Sequence, residues 1–176
     1  MIKDGEKKIA NLQRKLARAQ KGSNRRRRLL ERIAKAKHTV ALQKETFLHE
    51  VSKELTTHFD LIGIEDLNVR GMTASARGTI EQPGKNVRAK SGLNRGILAG
   101  SPYEFRRQLE YKARRYGSET VLIDRFYASS KTCSRCGKKK ENLTLKERQF
   151  HCTHCGLTID RDLNAALNIK DRKSTR

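Results

Sequence analysis

The sequence predicts an α/β protein built on one strand–helix–strand crossover, preceded by a long basic helical hairpin and followed by a cysteine-rich ribbon. Three observations lead there. Residues 1–59 repeat apolar side chains at helical spacing. Two short apolar runs, at 60–67 and 119–124, bracket a segment with helix start and stop signals. All four cysteines lie between positions 133 and 155.

The first helix is expected from Glu6 to Gln20, where Ile9, Leu12 and Leu16 recur among Lys and Arg, and Lys21-Gly22-Ser23 interrupts it. From Asn24 to Phe59, Leu29, Ile33, Ala36, Val40, Phe47, Val51, Leu55 and Phe59 keep one stripe with no Pro or Gly inside. At 1.5 Å per residue that is a rod of roughly 50 Å, and the short break implies an antiparallel hairpin. Arg25, Arg26, Arg27 and Arg28 fall at its turn, as either a solvated charge run or a phosphate contact.

Asp60-Leu61-Ile62-Gly63-Ile64-Glu65-Asp66-Leu67 reads as a buried strand ending in two acids. Residues 70–100 hold six glycines, Pro83 and several cations without a usable period, so a mobile basic loop is expected. Ser101-Pro102-Tyr103-Glu104 has the order of an N-cap, a first-turn proline and a capping-box acid. The helix should pass through Phe105, Leu109, Ala113 and Tyr116 and stop at Gly117. Glu119–Asp124 supplies the second buried strand, parallel to the first because a helix crosses between them. A short helix beginning near Asp160 closes the chain.

Composition narrows the function. The chain has 176 residues, 40 Lys+Arg against 19 Asp+Glu and a net charge of +21. The excess is spread throughout, with 16 basic against 7 acidic residues in 1–60, 13 against 7 in 61–132 and 11 against 5 in 133–176. Such a charge repels itself unless a polyanion neutralises it, so nucleic acid is the expected partner. With 35% hydrophobic residues and no Trp, the core must be modest. No apolar run is long enough to span a membrane, and the first residues lack the features of a secretory signal. A soluble, intracellular protein with no membrane partner is expected.

The cysteines form C-x2-C-x15-C-x2-C, with Cys133 and Cys136 before Gly137, and Cys152 and Cys155 before Gly156. Each pair can present two thiolates on a tight turn, and two such turns complete a tetrahedral four-sulfur site of the kind zinc takes. Two disulfides would need an oxidising compartment, and a redox dithiol would need only one of the pairs. His151 and His154 adjoin the second pair but are not required as ligands. A closed site of this type is structural. Lys138, Lys139, Lys140, Lys146 and Arg148 line the intervening loop as candidate phosphate contacts.

Acids at a helix start usually cap it and complement its dipole. Asp160 and Asp162 could do only that. They could also meet Glu65 if this helix packs beside the carboxyl end of the first strand. Carboxylates converging there in so basic a protein would suit Mg²⁺ and phosphodiester hydrolysis.

Four segments carry a resemblance. Ile64-Glu65-Asp66-Leu67-Asn68-Val69-Arg70-Gly71-Met72, Leu109-Glu110-Tyr111-Lys112-Ala113, Ser129-Ser130-Lys131-Thr132-Cys133-Ser134-Arg135-Cys136-Gly137 and Asp160-Arg161-Asp162-Leu163-Asn164-Ala165-Ala166 closely resemble, in order, the carboxyl-terminal part of TnpB. That family comprises transposon-encoded, RNA-guided DNA endonucleases related to type V CRISPR effectors and often labelled transposases. The resemblance implies an incomplete RNase H-like (RuvC) fold with an inserted helical hairpin and a four-cysteine zinc ribbon. It divides the chain into a hairpin at 1–59, a strand–loop–helix–strand part at 60–127, the ribbon at 128–158 and a terminal helix and tail at 159–176.

By the same resemblance Glu65 and Asp162 are the second and third catalytic carboxylates, and Asp160 is an accompanying acid. Cys133, Cys136, Cys152 and Cys155 hold structural zinc, and Mg²⁺ serves the complete nuclease site. DNA and the transposon's guide RNA are the implied partners, and the cytoplasm of a prokaryote, at the nucleoid, the implied location. Ala128 stands where the family commonly has proline. The family's first catalytic Asp lies on a strand upstream of the hairpin, and Asp4 precedes a helix instead of ending a strand. The expectation is therefore a truncated product, inactive alone, that lacks an amino-terminal portion. The alternative is a non-catalytic zinc-ribbon module that only binds nucleic acid. A ribosomal zinc-ribbon protein would fit the size and charge but not the motifs around Glu65 and Asp162.

Overall fold

A computed structural model describes residues 2–144 and 147–174. The order is α1 (Ile2–Ala17), α2 (Asn24–His58), β1 (Leu61–Glu65), α3 (Val69–Met72), α4 (Val87–Ala99), α5 (Pro102–Tyr116), β2 (Glu119–Ile123), β3 (Gln149–His151), β4 (Thr158–Asp160) and α6 (Arg161–Ser174). The chain divides into two compact units, Met1–Glu54 and Leu55–Arg176, with the boundary inside α2.

In the first unit the two helices meet through Leu12, Leu29 and Ile33, all buried, with Leu16, Ala19 and Ala36 packed around them. Gly5 lets α1 approach α2, because a Cβ there would collide with Val40. The turn is closed by polar contacts. The Ser23 hydroxyl accepts the Arg26 amide at 3.2 Å, and the Arg26 guanidinium donates to the Leu16 carbonyl at 3.1 Å. The predicted stripe is only partly used: Leu29, Ile33 and Val40 are buried, whereas Phe47 and Phe59 are 56% exposed.

The second unit contains the crossover. β1 and β2 pair in parallel, with Leu61 opposite Glu119 and Glu65 opposite Ile123, as a helical connection requires. α5 packs on β2 and α6 on β1. β1 is half-exposed at its centre and exposed at both ends, which corrects the expectation of a buried strand: a two-stranded sheet leaves edges and faces that two helices do not cover.

Two further expectations are corrected. Residues 70–100 include the helices α3 and α4. α4 buries none of its side chains, so no apolar period marks it, and polar contacts hold it in place. Asn94 Nδ2 donates to the Thr73 and Ala74 carbonyls at 2.8 and 3.2 Å, and Lys90 donates to the Met72 carbonyl. At the start of α5, Ser101 has φ 49° and makes no side-chain cap bond. Glu104 instead takes Arg107 and Gln108, because the left-handed backbone at Ser101 turns its hydroxyl away from the cap position. The helix ends at Gly117, φ 80°, as expected.

β3 and β4 form an antiparallel pair, Phe150 opposite Ile159. Phe150 is fully buried with Cys133 and Cys152, and Leu143, Leu157 and Ile159 pack against them.

Candidate metal centre and acidic cleft

Each cysteine pair sits on its own turn. The Gly137 amide donates to the Cys133 carbonyl at 2.9 Å and the Gly156 amide to the Cys152 carbonyl at 3.0 Å. Gly137 and Gly156 have φ of 71° and 73°, a left-handed conformation in which any other residue would be strained. The two turns face each other so that all four sulfurs lie within 4.8 Å of one another. Cys133 and Cys155 are 3.6 Å apart, as are Cys136 and Cys152. Sulfurs about 2.3 Å from a central ion in a tetrahedron would be about 3.8 Å apart, whereas a disulfide needs about 2 Å. All four thiols are free, and the set fits a tetrahedral metal.

The thiols are unequal. The Cys155 amide and then the His154 amide hold the Cys152 thiol down at about 6, against desolvation. At Cys136 the Lys138 amide also favours the thiolate but is outweighed by desolvation and the three neighbouring thiols, which push the group up to about 12. A metal entering the site must therefore displace a proton there. The histidines stand apart from the cluster among the described residues, and His151 bonds Thr158 at 2.9 Å.

The acids occupy a separate place. A cleft of about 660 Å³ opens beside the carboxyl ends of the parallel strands, and Glu65 and Asp162 both line it. Such a position is the usual one for ligands on parallel sheets. They are the only carboxylates among its lining residues, with Lys131, Arg106 and Arg161 nearby. The Ser129 hydroxyl, itself buried, donates to Glu65 Oε1 at 2.9 Å. Asp162 is exposed, with its carboxylate 3.5 Å from Arg161 Nε.

Asp160 does not line the cleft. Its Oδ1 accepts the amides of Asp162 and Leu163 at 2.9 and 3.0 Å, so it caps α6 and thereby aims the first turn that carries Asp162. Asp66, beside Glu65 in sequence, bonds Arg106 at 2.7 Å and also Arg125. Those guanidiniums, Arg125 first, hold its carboxyl below the ordinary range.

Polar side chains that no apolar period marks join these parts. Asn164 and Asn168 are buried on one face of α6. Asn164 accepts the Ser134 amide at 2.9 Å and donates to the Thr132 carbonyl at 2.7 Å. Asn168 donates to the carbonyls of Ser129 and Thr132 at 2.8 and 2.7 Å. The helix thus grips the segment leading into the first cysteine turn, and that same segment carries Ser129 to Glu65. Two Asn at i and i+4 were the available signal, since amides buried on a helix face need fixed partners.

Among the candidate cations, Arg25, Arg27 and Arg28 are exposed, while Arg26 is half-buried in the hairpin turn. Lys138 and Lys139 are exposed; Lys140 pairs with Glu147 at 2.8 Å. Lys146 lies outside the described residues.

Two family models match successive parts of the chain: "Probable transposase" (OrfB_IS605) over residues 2–76 and "Cas12f1-like, TNB domain" over 103–169. "Putative RNA-guided DNA endonuclease InsQ" of Escherichia coli K12 is 41% identical over 164 residues, 93% of this chain and 40% of that protein. "TnpB-like protein L79" of Acanthamoeba polyphaga mimivirus is 35% identical over 84% of this chain and 26% of that protein. Over most of its length the chain is similar to part of these TnpB-type proteins. It spans less than half the length of these TnpB relatives. Its fold is also that of part of Cas12f: it aligns over 93% of its length with 31% of the protein chain in a CRISPR-Cas12f ternary complex, at TM-score 0.63 and 23% identity. Over 94% of its length it matches 42% of the Cas12f1 chain in a complex with sgRNA and target DNA, at TM-score 0.59 and 23% identity. Among the described residues no helix is long and apolar enough to cross a membrane.

Proposed function

We propose that this chain is the carboxyl-terminal RuvC-like part of a TnpB-type RNA-guided DNA nuclease, contributing two active-site carboxylates and a zinc-bound ribbon. Its partners on this reading are target DNA and the transposon's guide RNA in a prokaryotic cytoplasm. The hairpin at 1–59, the crossover at 60–127, the ribbon at 128–158 and the closing helix from 159 are its functional divisions. The observation that carries the reading is that Glu65 and Asp162, far apart in sequence, line one cleft at the strand ends.

Carboxylate oxygens are the donors Mg²⁺ prefers, and Glu65 and Asp162 are the residues that would hold it. When bound, the metal supplies an activated water and stabilises the leaving oxygen. Ser129 holds one oxygen of Glu65 and leaves the other for a ligand. Asp160, by capping α6, orients the backbone that presents Asp162. Zinc is the ion matched by four thiolates without oxygen donors, and there it is structural.

Two carboxylates fall short of the set that a two-metal displacement uses, and no third lines this cleft among the described residues. The chain by itself should bind nucleic acid and Mn²⁺ without cutting. The experiment incubates zinc-loaded protein with Mg²⁺ or Mn²⁺ and single- or double-stranded DNA, and follows Mn²⁺ binding by electron paramagnetic resonance. Mn²⁺ binding lost in Glu65→Gln and in Asp162→Asn is the expected result. Unchanged Mn²⁺ binding in both variants would remove the acids from the site. Robust cleavage that both variants abolish would overturn the claim of inactivity.

A further inference from the structure

A second groove lies in the same unit, between residues 73–77 and α4, and has a volume of about 610 Å³. It falls in the interval 77–102 that neither family model covers, apart from the residues just before it. Its lining includes Arg77, Arg88, Lys90 and Arg95 and not one carboxylate. The three arginines are exposed, and none forms an ion pair among the described residues. Lys90 is held by neutral oxygens, the Met72 carbonyl and Asn94 Oδ1, the latter at 2.9 Å. Its full charge therefore stays uncompensated. The hydroxyls of Ser75 and Ser91 also line the groove. Guanidiniums and hydroxyls together, with no acid between them, match the oxygens of a phosphodiester.

We propose that this groove binds the phosphodiester backbone of a nucleic acid strand, as a site distinct from the acidic cleft. Arg88, Ser91 and Arg95 share a face of α4, because residues three and four apart are neighbours on a helix. Arg88 and Arg95 are separated by two helical turns, about 10 Å, or about three nucleotide steps along one strand of a duplex. The two arginines thus address phosphates about three apart, and Lys90 with Asn94 fixes the floor.

Beyond the Lys90 and Asn94 contacts, the helix has little packing support. Gly92 and Gly96 sit in its interior with open space where a side chain would be. Asn86 gives it no side-chain cap, and it buries none of its residues. A bound polyanion across Arg88 and Arg95 would order it.

The inference rests on the nucleic-acid reading above but not on the metal site. It is tested on the full, zinc-loaded chain by fluorescence anisotropy across a salt series, with a DNA duplex and a single-stranded RNA of equal length as probes. Arg88→Gln/Arg95→Gln keeps helix-forming residues and removes two charges. It should flatten the plot of log affinity against log salt by about 1.8 for the duplex, or about 1.4 for a single strand. The probe whose slope changes identifies the strand bound. Ser91→Lys should steepen the same slope, and hydrogen exchange over residues 87–99 should slow on binding in the wild type but not in the double variant. Affinity with unchanged slopes and exchange on both probes would overturn the groove and leave the acidic cleft standing. Failure of the wild type to bind either probe would overturn both readings.

Discussion

The grip of α6 on the first cysteine turn makes a quantitative prediction. Asn164→Ala removes the acceptor of the Ser134 amide, while the Thr132 carbonyl keeps its bond to Asn168 at 2.7 Å. An unmade hydrogen bond on a poorly solvated group costs about 1–3 kcal/mol, so this variant should lose about 2 kcal/mol. Asn168→Ala strips the Ser129 carbonyl, while Thr132 keeps Asn164; about 1–2 kcal/mol is expected. The double variant also leaves Thr132 with neither donor. Its loss should exceed the sum of the single losses by about 1 kcal/mol, within the range found for residues sharing a partner. Tyrosine fluorescence during urea unfolding in zinc-replete buffer is the assay. There is no Trp, and all four tyrosines, at 103, 111, 116 and 127, lie in the second unit, so the signal reports that unit alone. Single effects below about 0.5 kcal/mol, or additivity within about 0.3 kcal/mol, would refute the claim that Thr132 is the shared acceptor.

Other consequences can be measured directly. Chelation, or Cys136→Ser, should abolish protection from hydrogen exchange at residues 149–160, and metal affinity should fall as pH falls because Cys136 must release a proton; intact protection without metal would contradict this. Asp66 is held below its usual pKa by Arg125 and then Arg106. Its contribution is present above about pH 4, the unfolded value, and is lost as pH falls through the lower folded value. Asp66→Asn should therefore melt below wild type at pH 7, with the two curves converging in acid; a constant gap would exclude the linkage. Gly92→Ala/Gly96→Ala meets open space at both positions and should protect α4 by about 1–2 kcal/mol in hydrogen exchange. Faster exchange would show that the glycines serve a packing role.

The elements most visible in the sequence were those with a regular apolar signal or a chemical one. The hairpin followed from the spacing of Leu12, Leu29 and Ile33, the crossover from two short apolar runs, and the four-cysteine cluster from the spacing of the cysteines. α4 escaped because its anchors, Lys90 and Asn94, are polar side chains reaching backbone carbonyls, a contact without periodicity. The exposed edge of β1 escaped for a related reason: an apolar run marks a strand but does not count the strands and helices that cover it.

The sequence alone determined the composition of each site. Four thiols in two glycine-terminated turns set the donor type of a candidate metal site, since ligand type and local turn geometry are short-range properties. Which acids share a cleft is a long-range property that only tertiary structure could decide. Packing α6 against β1 set Asp162 in one cleft with Glu65, assigned Asp160 to the helix cap and drew Asp66 into a pair of arginines. Asp162, Asp160 and Asp66, all from the two acidic motifs, became a cleft-lining residue, a helix cap and half of an ion pair, because burial and partners, which differ by position in the fold, determine what an identical carboxylate does.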